Sequence, residues 1–242
     1  MATLVRRALA GLAMAVFGLA LPAMAEDQRM ISDDEAPFWN AVGRLNIAGN
    51  RFCTGTLISP DEVITAAHCL YHPVTGHLVN PAEVRFVAGF RRDSYAALSR
   101  ATAIALLPYH DLPGVEADPA FVRFDVALVK LDAAIAPSEV VPLTVVDWPA
   151  DLTAVDIVGY GRDRPLIASI RQDCPFVSDD LGAKRLGCAI VPGLSGAPAV
   201  IAGSRDLVAV VTTSVGTWVQ GEATLVVPIA PQLATLRAQI AD

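Results

Sequence analysis

Phe52-Cys53-Thr54-Gly55-Thr56-Leu57-Ile58, then Ser59-Pro60-Asp61, then Glu62-Val63-Ile64-Thr65-Ala66-Ala67-His68-Cys69 reads as two short strands parted by a turn. Both runs are rich in apolar and β-branched residues, and Pro-Asp between them is turn chemistry. The same pattern continues in both directions. Ala41–Ile47 precedes it, and Val84–Gly89, Ala101–Leu107 and Val126–Leu131 follow. After Pro137 come Val140–Val146, Val155–Tyr160, Leu166–Arg171, Ala197–Ala202, Leu207–Thr213 and Ala223–Val227. Many short strands at regular spacing predict an all-β barrel or sandwich. A helical signal appears only at the end, where Leu233, Leu236 and Ile240 would share one face after Pro231. Ala133–Ser138 is the best boundary between two halves, residues 37–136 and 137–242.

The amino terminus reads as an export signal. Arg6 and Arg7 form a basic start, Ala8 to Leu21 is almost wholly apolar, and Ala23-Met24-Ala25 offers small residues for cleavage before Glu26. An apolar run of about 14 residues falls short of the roughly 20 that span a bilayer, so no stable membrane anchor is expected after cleavage of residues 1–25. Residues 26–36 are polar and acidic and are expected to form a loose arm. The whole chain carries a net charge of −7, and loss of the two leader arginines makes it more negative. That argues against nucleic acid or an anionic membrane as partner. The four cysteines, Cys53, Cys69, Cys174 and Cys188, all lie beyond the leader. An even count in an exported chain implies disulfides. Three connectivities exist, and the two short closures, Cys53–Cys69 and Cys174–Cys188, are favoured. Each closes a loop for which chain entropy predicts about 3 kcal/mol. A zinc site would call for a close Cys-x-x-Cys pair, which is missing. No metal or cofactor is expected.

Three local patterns stand in the order histidine, acid, serine. They are Thr65-Ala66-Ala67-His68-Cys69, Phe124-Asp125-Val126-Ala127-Leu128, and Gly193-Leu194-Ser195-Gly196-Ala197-Pro198. Hydrolysing an amide at neutral pH requires a serine whose proton is taken as it attacks, a base ionising near the working pH, and a buried acid that fixes the base's tautomer. Donors must also meet the oxygen that becomes negative. Gly193 lets the backbone turn so that its N–H and that of Ser195 can point to one spot. His72, His77 and His110 lie in polar or Pro/Gly-rich stretches and read as solvated loop residues. Asp111, Asp118 and Asp132 compete with Asp125, but none stands in an Asp-x-Ala-Leu context.

Taken together these motifs resemble the three signatures of the trypsin/chymotrypsin superfamily of serine proteases, in family order. Cys53-Thr54-Gly55-Thr56-Leu57-Ile58 resembles the strand before the family's histidine, and Asp156-Ile157-Val158-Gly159-Tyr160-Gly161 resembles a strand of its second barrel. The likeness runs from about Trp39 to the carboxy-terminal helix and is nearest the small bacterial secreted members. It implies two six-stranded antiparallel β-barrels with the active site between them and a short C-terminal helix. It also implies a triad of His68, Asp125 and Ser195, an oxyanion hole of the Gly193 and Ser195 N–H groups, and a protein or peptide substrate. The implied location is periplasmic or secreted.

The pattern departs from the family directly before the serine, where an acid is usual and Leu194 stands. A leucine cannot hold a buried ammonium, so activation by a freed amino terminus is not expected. Arg29-Met30-Ile31 faintly resembles an activation cut, but no Gly-Gly follows. The resemblance puts Ala189 at the floor of the primary pocket and Thr213, Ser214 and Gly216 on its wall. No carboxylate there attracts Lys or Arg, and the histidine that glutamate-specific relatives place on this wall is not evident. A small or medium uncharged side chain is the expected preference. The competing class is a protease-fold binding protein with little or no turnover, favoured only by Leu194. An α/β-hydrolase fails on order, since it places serine before acid and histidine.

Overall fold

The computed structural model describes residues 28–47, 51–108, 119–215 and 223–240; the expected leader lies outside them. A two-residue strand, β1 (Arg29–Met30), precedes two closed antiparallel barrels. The first is built from β2 (Val42–Ile47), β3 (Arg51–Ser59), β4 (Glu62–Thr65), β5 (Val84–Ala88), β6 (Ala97–Leu106) and β7 (Ala127–Leu131). They join in the order β2-β3-β4-β7-β6-β5, and β5 closes on β2. Along β6, buried and exposed residues alternate from Ala97 to Thr102, as a strand with one face toward a core requires. Strand β3 breaks that alternation, with Cys53 through Ile58 all buried. Its outer side is covered by the second half, where Thr54 N–H donates to Ser195 O and Leu57 O accepts from Leu143 N–H.

The short strand β8 (Thr144–Val145) leads into the second barrel. This comprises β9 (Ala154–Gly159), β10 (Ser169–Asp180), β11 (Ala183–Leu186), β12 (Pro198–Val200), β13 (Asp206–Val215) and β14 (Ala223–Pro228). The circuit runs β9-β10-β11-β14-β13-β12 and returns to β9. The expected two six-stranded barrels are therefore present, and the chain ends in α1 (Ala230–Ala238), which buries Leu236. Although α1 follows the second barrel in sequence, it docks on the first. Arg237 pairs with Glu62 of β4 at 2.6 Å, and Gln239 exchanges two hydrogen bonds with the Leu106 backbone.

Residues expected to form a loose polar arm are packed from Gln28 onward. Arg29 and Met30 pair with Ile170 and Ser169 of β10. Ile31 is buried, its N–H donating to Ala168 O and its carbonyl accepting from Arg91. The charged side chains of this stretch stay in solvent, while its backbone is taken into the edge of a sheet. Local polarity could not reveal that pairing.

Candidate active site

His68 and Asp125 meet because of strand register. Thr65 at the end of β4 pairs with Ala127 at the start of β7. The residues leaving one strand therefore lie beside those entering the other. After Thr65 the chain makes a single 3-10 turn, Ala67–Leu70, that carries His68. Before Ala127 another, Pro119–Phe124, delivers Asp125, whose N–H is tied to Val122 O. The two residues are joined twice: His68 N–H donates to Asp125 Oδ1 at 2.8 Å, and His68 Nδ1 lies 2.7 Å from Asp125 Oδ2. The carboxylate side chain is 14% exposed and the imidazole 37%, so the acid is enclosed and the ring keeps an open side. With Nδ1–H on the carboxylate, Nε2 carries the lone pair a base needs.

Two covalent and polar ties hold that turn. The Cys53–Cys69 disulfide binds it to β3. Arg51 Nη2 donates to Cys69 O at 3.0 Å, with burial and then the charge of Arg162 making its guanidinium easier to deprotonate. Cys53 and Cys69 also approach the His68 ring, but bonded to each other they have no thiolate to offer a metal. The second disulfide joins Cys174 on β10 to Cys188.

Ser195, half-buried, sits in the loop before β12. Its carbonyl accepts from Thr54 N–H at 2.9 Å. The next residue, Gly196, has φ +80°, and a Cβ there would lie 2.1 Å from Thr54 O, 2.2 Å from Thr65 Oγ1 and 3.1 Å from Ala66 N. Only glycine lets the loop lie directly on the segment that leads into His68. Ser195 is thereby held alongside the base turn, although no hydrogen bond joins its hydroxyl to His68 among the described residues. Such bonds are often long without substrate and tighten when it binds. Gly193 has φ +102°, and a Cβ there would lie 2.6 Å from Tyr160 O and 3.1 Å from Arg162 N. Within the loop, the N–H groups of Leu194, Gly196 and Ala197 go to Val191 O, Val211 O and Leu194 O. Among the described residues, no such acceptor takes the N–H of Gly193 or of Ser195.

Leu194 is buried in the apolar core of the second barrel with Val155, Ile157, Ala197 and Val211. Gly159 makes the room: a Cβ there would come within 2.8 Å of both Leu194 Cδ2 and Thr54 Oγ1. Next to it, Tyr160 is fully enclosed, its hydroxyl donating to Phe90 O and burial pushing its ionisation well up.

Around the expected pocket, Ala189 follows Cys188 directly, and the Cys188 carbonyl is held by Thr224 Oγ1 at 2.6 Å. Thr213 is half-buried on β13 opposite Leu225, and Ser214 pairs with Thr224; Gly216 lies outside the described residues. His72 and His77 belong to an exposed loop, with His72 Nδ1 accepting from Val74 and Thr75 N–H. Asp132 caps Ser99 and the Arg100 amide past the far end of β7, and those bonds hold its carboxyl below the usual range. His110, Asp111 and Asp118 lie outside the described residues. Sequence reading passed over Thr54, Arg51, Gly159 and Thr224. The one local signal for Thr54 was a polar residue inside an otherwise buried strand.

Two closed β-barrels with a histidine–carboxylate pair at their seam define the trypsin-like serine protease fold. The trypsin family model matches residues 31–233, and the chain belongs to the trypsin family. A trypsin from Saccharopolyspora erythraea is 30% identical over 118 residues, covering 47% of this chain and 46% of that protein. Serine protease 56 from Homo sapiens is 26% identical over 188 residues, 74% of this chain and 29% of that protein. The chain thus matches less than half the length of either relative. The solved structure of a Glu endopeptidase in complex with MPD shares the fold at 16% identity and a TM-score of 0.73, covering 89% of this chain and 97% of that one.

Proposed function

We propose that the protein is an exported serine endopeptidase that cleaves peptide bonds through a serine acyl-enzyme. The observation that carries this reading is the doubly bonded His68–Asp125 pair beside the Ser195 loop. In the proposed reaction Asp125 fixes the imidazole with Nδ1–H, and Nε2 takes the Ser195 proton as Oγ adds to the carbonyl carbon. The Gly193 and Ser195 N–H groups receive the oxyanion. His68 then returns the proton to the departing amine, and water repeats the sequence to release the acid. No metal or cofactor takes part in this scheme.

The wall offered by Ala189, Thr213, Ser214 and Gly216 has no charged side chain, which supports a small or medium uncharged residue at the cleaved position rather than Lys or Arg. Two disulfides support an oxidising compartment, periplasmic or extracellular. Packing of Leu194 in the barrel core supports activity without a freed amino terminus.

A fluorophosphonate probe tests the reading, because only an activated serine labels fast. Wild-type protein is expected to label and to cleave a peptide library. Ser195→Ala abolishes both and leaves stability within about 1 kcal/mol, and Asp125→Asn slows turnover by about four powers of ten. Folded wild-type protein that neither labels nor cleaves would instead be the protease-fold binding protein.

A further inference from the structure

We propose that Thr54 is a positioning residue that orders the nucleophile loop from the opposite barrel, in the place where an ion pair at position 194 would act. Its kinetic consequence rests on the serine-protease reading above; the ordering itself does not.

Each peptide plane from Pro192 to Gly196 is held by a bond at its carbonyl. Pro192 O accepts from Arg162 N–H at 2.7 Å, and Leu194 O accepts from Ala197 N–H at 2.9 Å. Because a trans peptide points N–H and C=O in opposite directions, these two bonds also aim the N–H groups of Gly193 and Ser195. The other two planes are held at their N–H ends by Val191 O, at 3.3 Å from Leu194 N, and by Val211 O, at 2.8 Å from Gly196 N, and at both carbonyls by Thr54. Its N–H donates to Ser195 O at 2.9 Å, and its hydroxyl donates to Gly193 O at 3.1 Å. Of the four, only the Gly193 carbonyl is held by a side chain. It follows Gly193, whose φ is +102° and which has more alternative conformations than any residue with a side chain, and its N–H end is held only by the 3.3 Å bond to Val191 O, so this plane is the one most prone to flip.

The hydroxyl has no other way to bond. Tyr160 N–H can only donate and does so to Thr54 Oγ1 at 2.9 Å, so the single hydroxyl proton goes to Gly193 O. Tyr160 is itself anchored at both ends of its side chain and backbone, and Thr54 O accepts from Thr65 Oγ1 at 2.8 Å. Thr54 is fully buried, so a flipped loop would strand its N–H and hydroxyl without water. Thr54 also adjoins Cys53, which is bonded to Cys69 next to His68. Base turn and nucleophile loop are thus registered on two consecutive residues of one strand.

The test compares Thr54→Val, which keeps the shape without the hydroxyl, with Thr54→Ser, which keeps the hydroxyl. Amide hydrogen exchange at residues 193–197 and steady-state kinetics are read together. Thr54→Val is expected to speed exchange in the loop about tenfold or more. It lowers kcat and probe labelling by about 10- to 100-fold, below the loss from removing an oxyanion donor outright, with KM within about threefold. Thr54→Ser returns all of these to within about threefold of wild type. If folded Thr54→Val exchanges like wild type, the proposal is overturned whatever its activity. Equal losses in kcat for the Ser and Val variants overturn it too. Faster exchange in a protein whose wild type never labels leaves the ordering role standing and removes the proteolytic reading instead. Should Thr54→Val not fold, Gly159→Ala presses a methyl against Thr54 Oγ1 and Leu194 without deleting a bonding group. Wild-type exchange and kcat in that variant would equally overturn the proposal.

Discussion

Leu194 shares its surroundings with valines, isoleucine, alanine and a disulfide, and none of these can solvate a charge. A carboxylate at this position would be desolvated with no cation to meet it, a cost of several kcal/mol unless it protonates. Leu194→Asp is therefore expected to lower unfolding free energy by about 3 kcal/mol or more and to leave probe labelling no faster than wild type. Denaturant melts and labelling rates check this together. A stable Asp variant that labels faster would mean that a cation does reach the loop, and that the apolar packing of Leu194 is not what orders it.

Among the elements, β1 and the residue after it clasp the two barrels. β1 pairs with β10 of the second barrel, while Arg91, just beyond β5 of the first, holds the Ile31 carbonyl. Arg29 adds a two-pronged contact to Glu35, with bonds of 2.8 and 2.6 Å. That guanidinium, with help from the Ser32 amide, lowers the Glu35 carboxyl from about 4.5 to about 2. A protein beginning at Gln28 should label as fast as one carrying a longer amino terminus. One beginning at Ser32 loses the burial of Ile31, worth about 1.5–3 kcal/mol, and melts earlier. A depressed carboxylate stabilises the fold above its unfolded value and ceases to do so as pH falls toward its folded one. The difference in melting temperature between the two starts should therefore narrow as pH drops from about 4.5 to about 2. The narrowing is small, because both side chains are more than a third exposed. A Ser32 start that alone labels would restore amino-terminal activation.

Over the whole molecule, the first and last described elements, β1 and α1, tie the two halves together. Helix α1 crosses back so that Arg237 Nε and Nη2 grip Glu62, whose side chain is only 12% exposed. Removing the guanidinium leaves a mostly enclosed carboxylate unpaired. Arg237→Ala is expected to destabilise by about 1–3 kcal/mol, with Arg237→Ala/Glu62→Gln recovering part of the loss. Probe labelling of the folded variant stays at the wild-type rate, because Glu62 opens β4 and His68 lies beyond its other end. A labelling defect in the double variant would tie the helix to the site.

Short apolar, β-branched runs bounded by turn residues were enough to find most strands of both barrels, because strands covered on both faces, such as β4, β9 and β14, read as continuous apolar stretches. His68, Asp125 and Ser195 could be singled out as candidates from sequence because each sits in a short local context, and their order along the chain is itself information. The cysteine pairing was legible as two short closures, and the structure makes both. Strand β11 was not, since Ala183-Lys184-Arg185-Leu186 has no apolar run and is a strand only through its ladders with β10 and β14. The same holds for β1, whose polar neighbours hide an edge pairing with β10. Thr54 is the sharpest case. Its neighbours in sequence mark it as one more residue of a buried strand, yet its partners are residues 193, 195 and 160 of the other barrel. Local pattern reports whether a residue faces a core or water. It cannot report which distant backbone a buried hydroxyl meets, because that depends on how two closed barrels settle against each other.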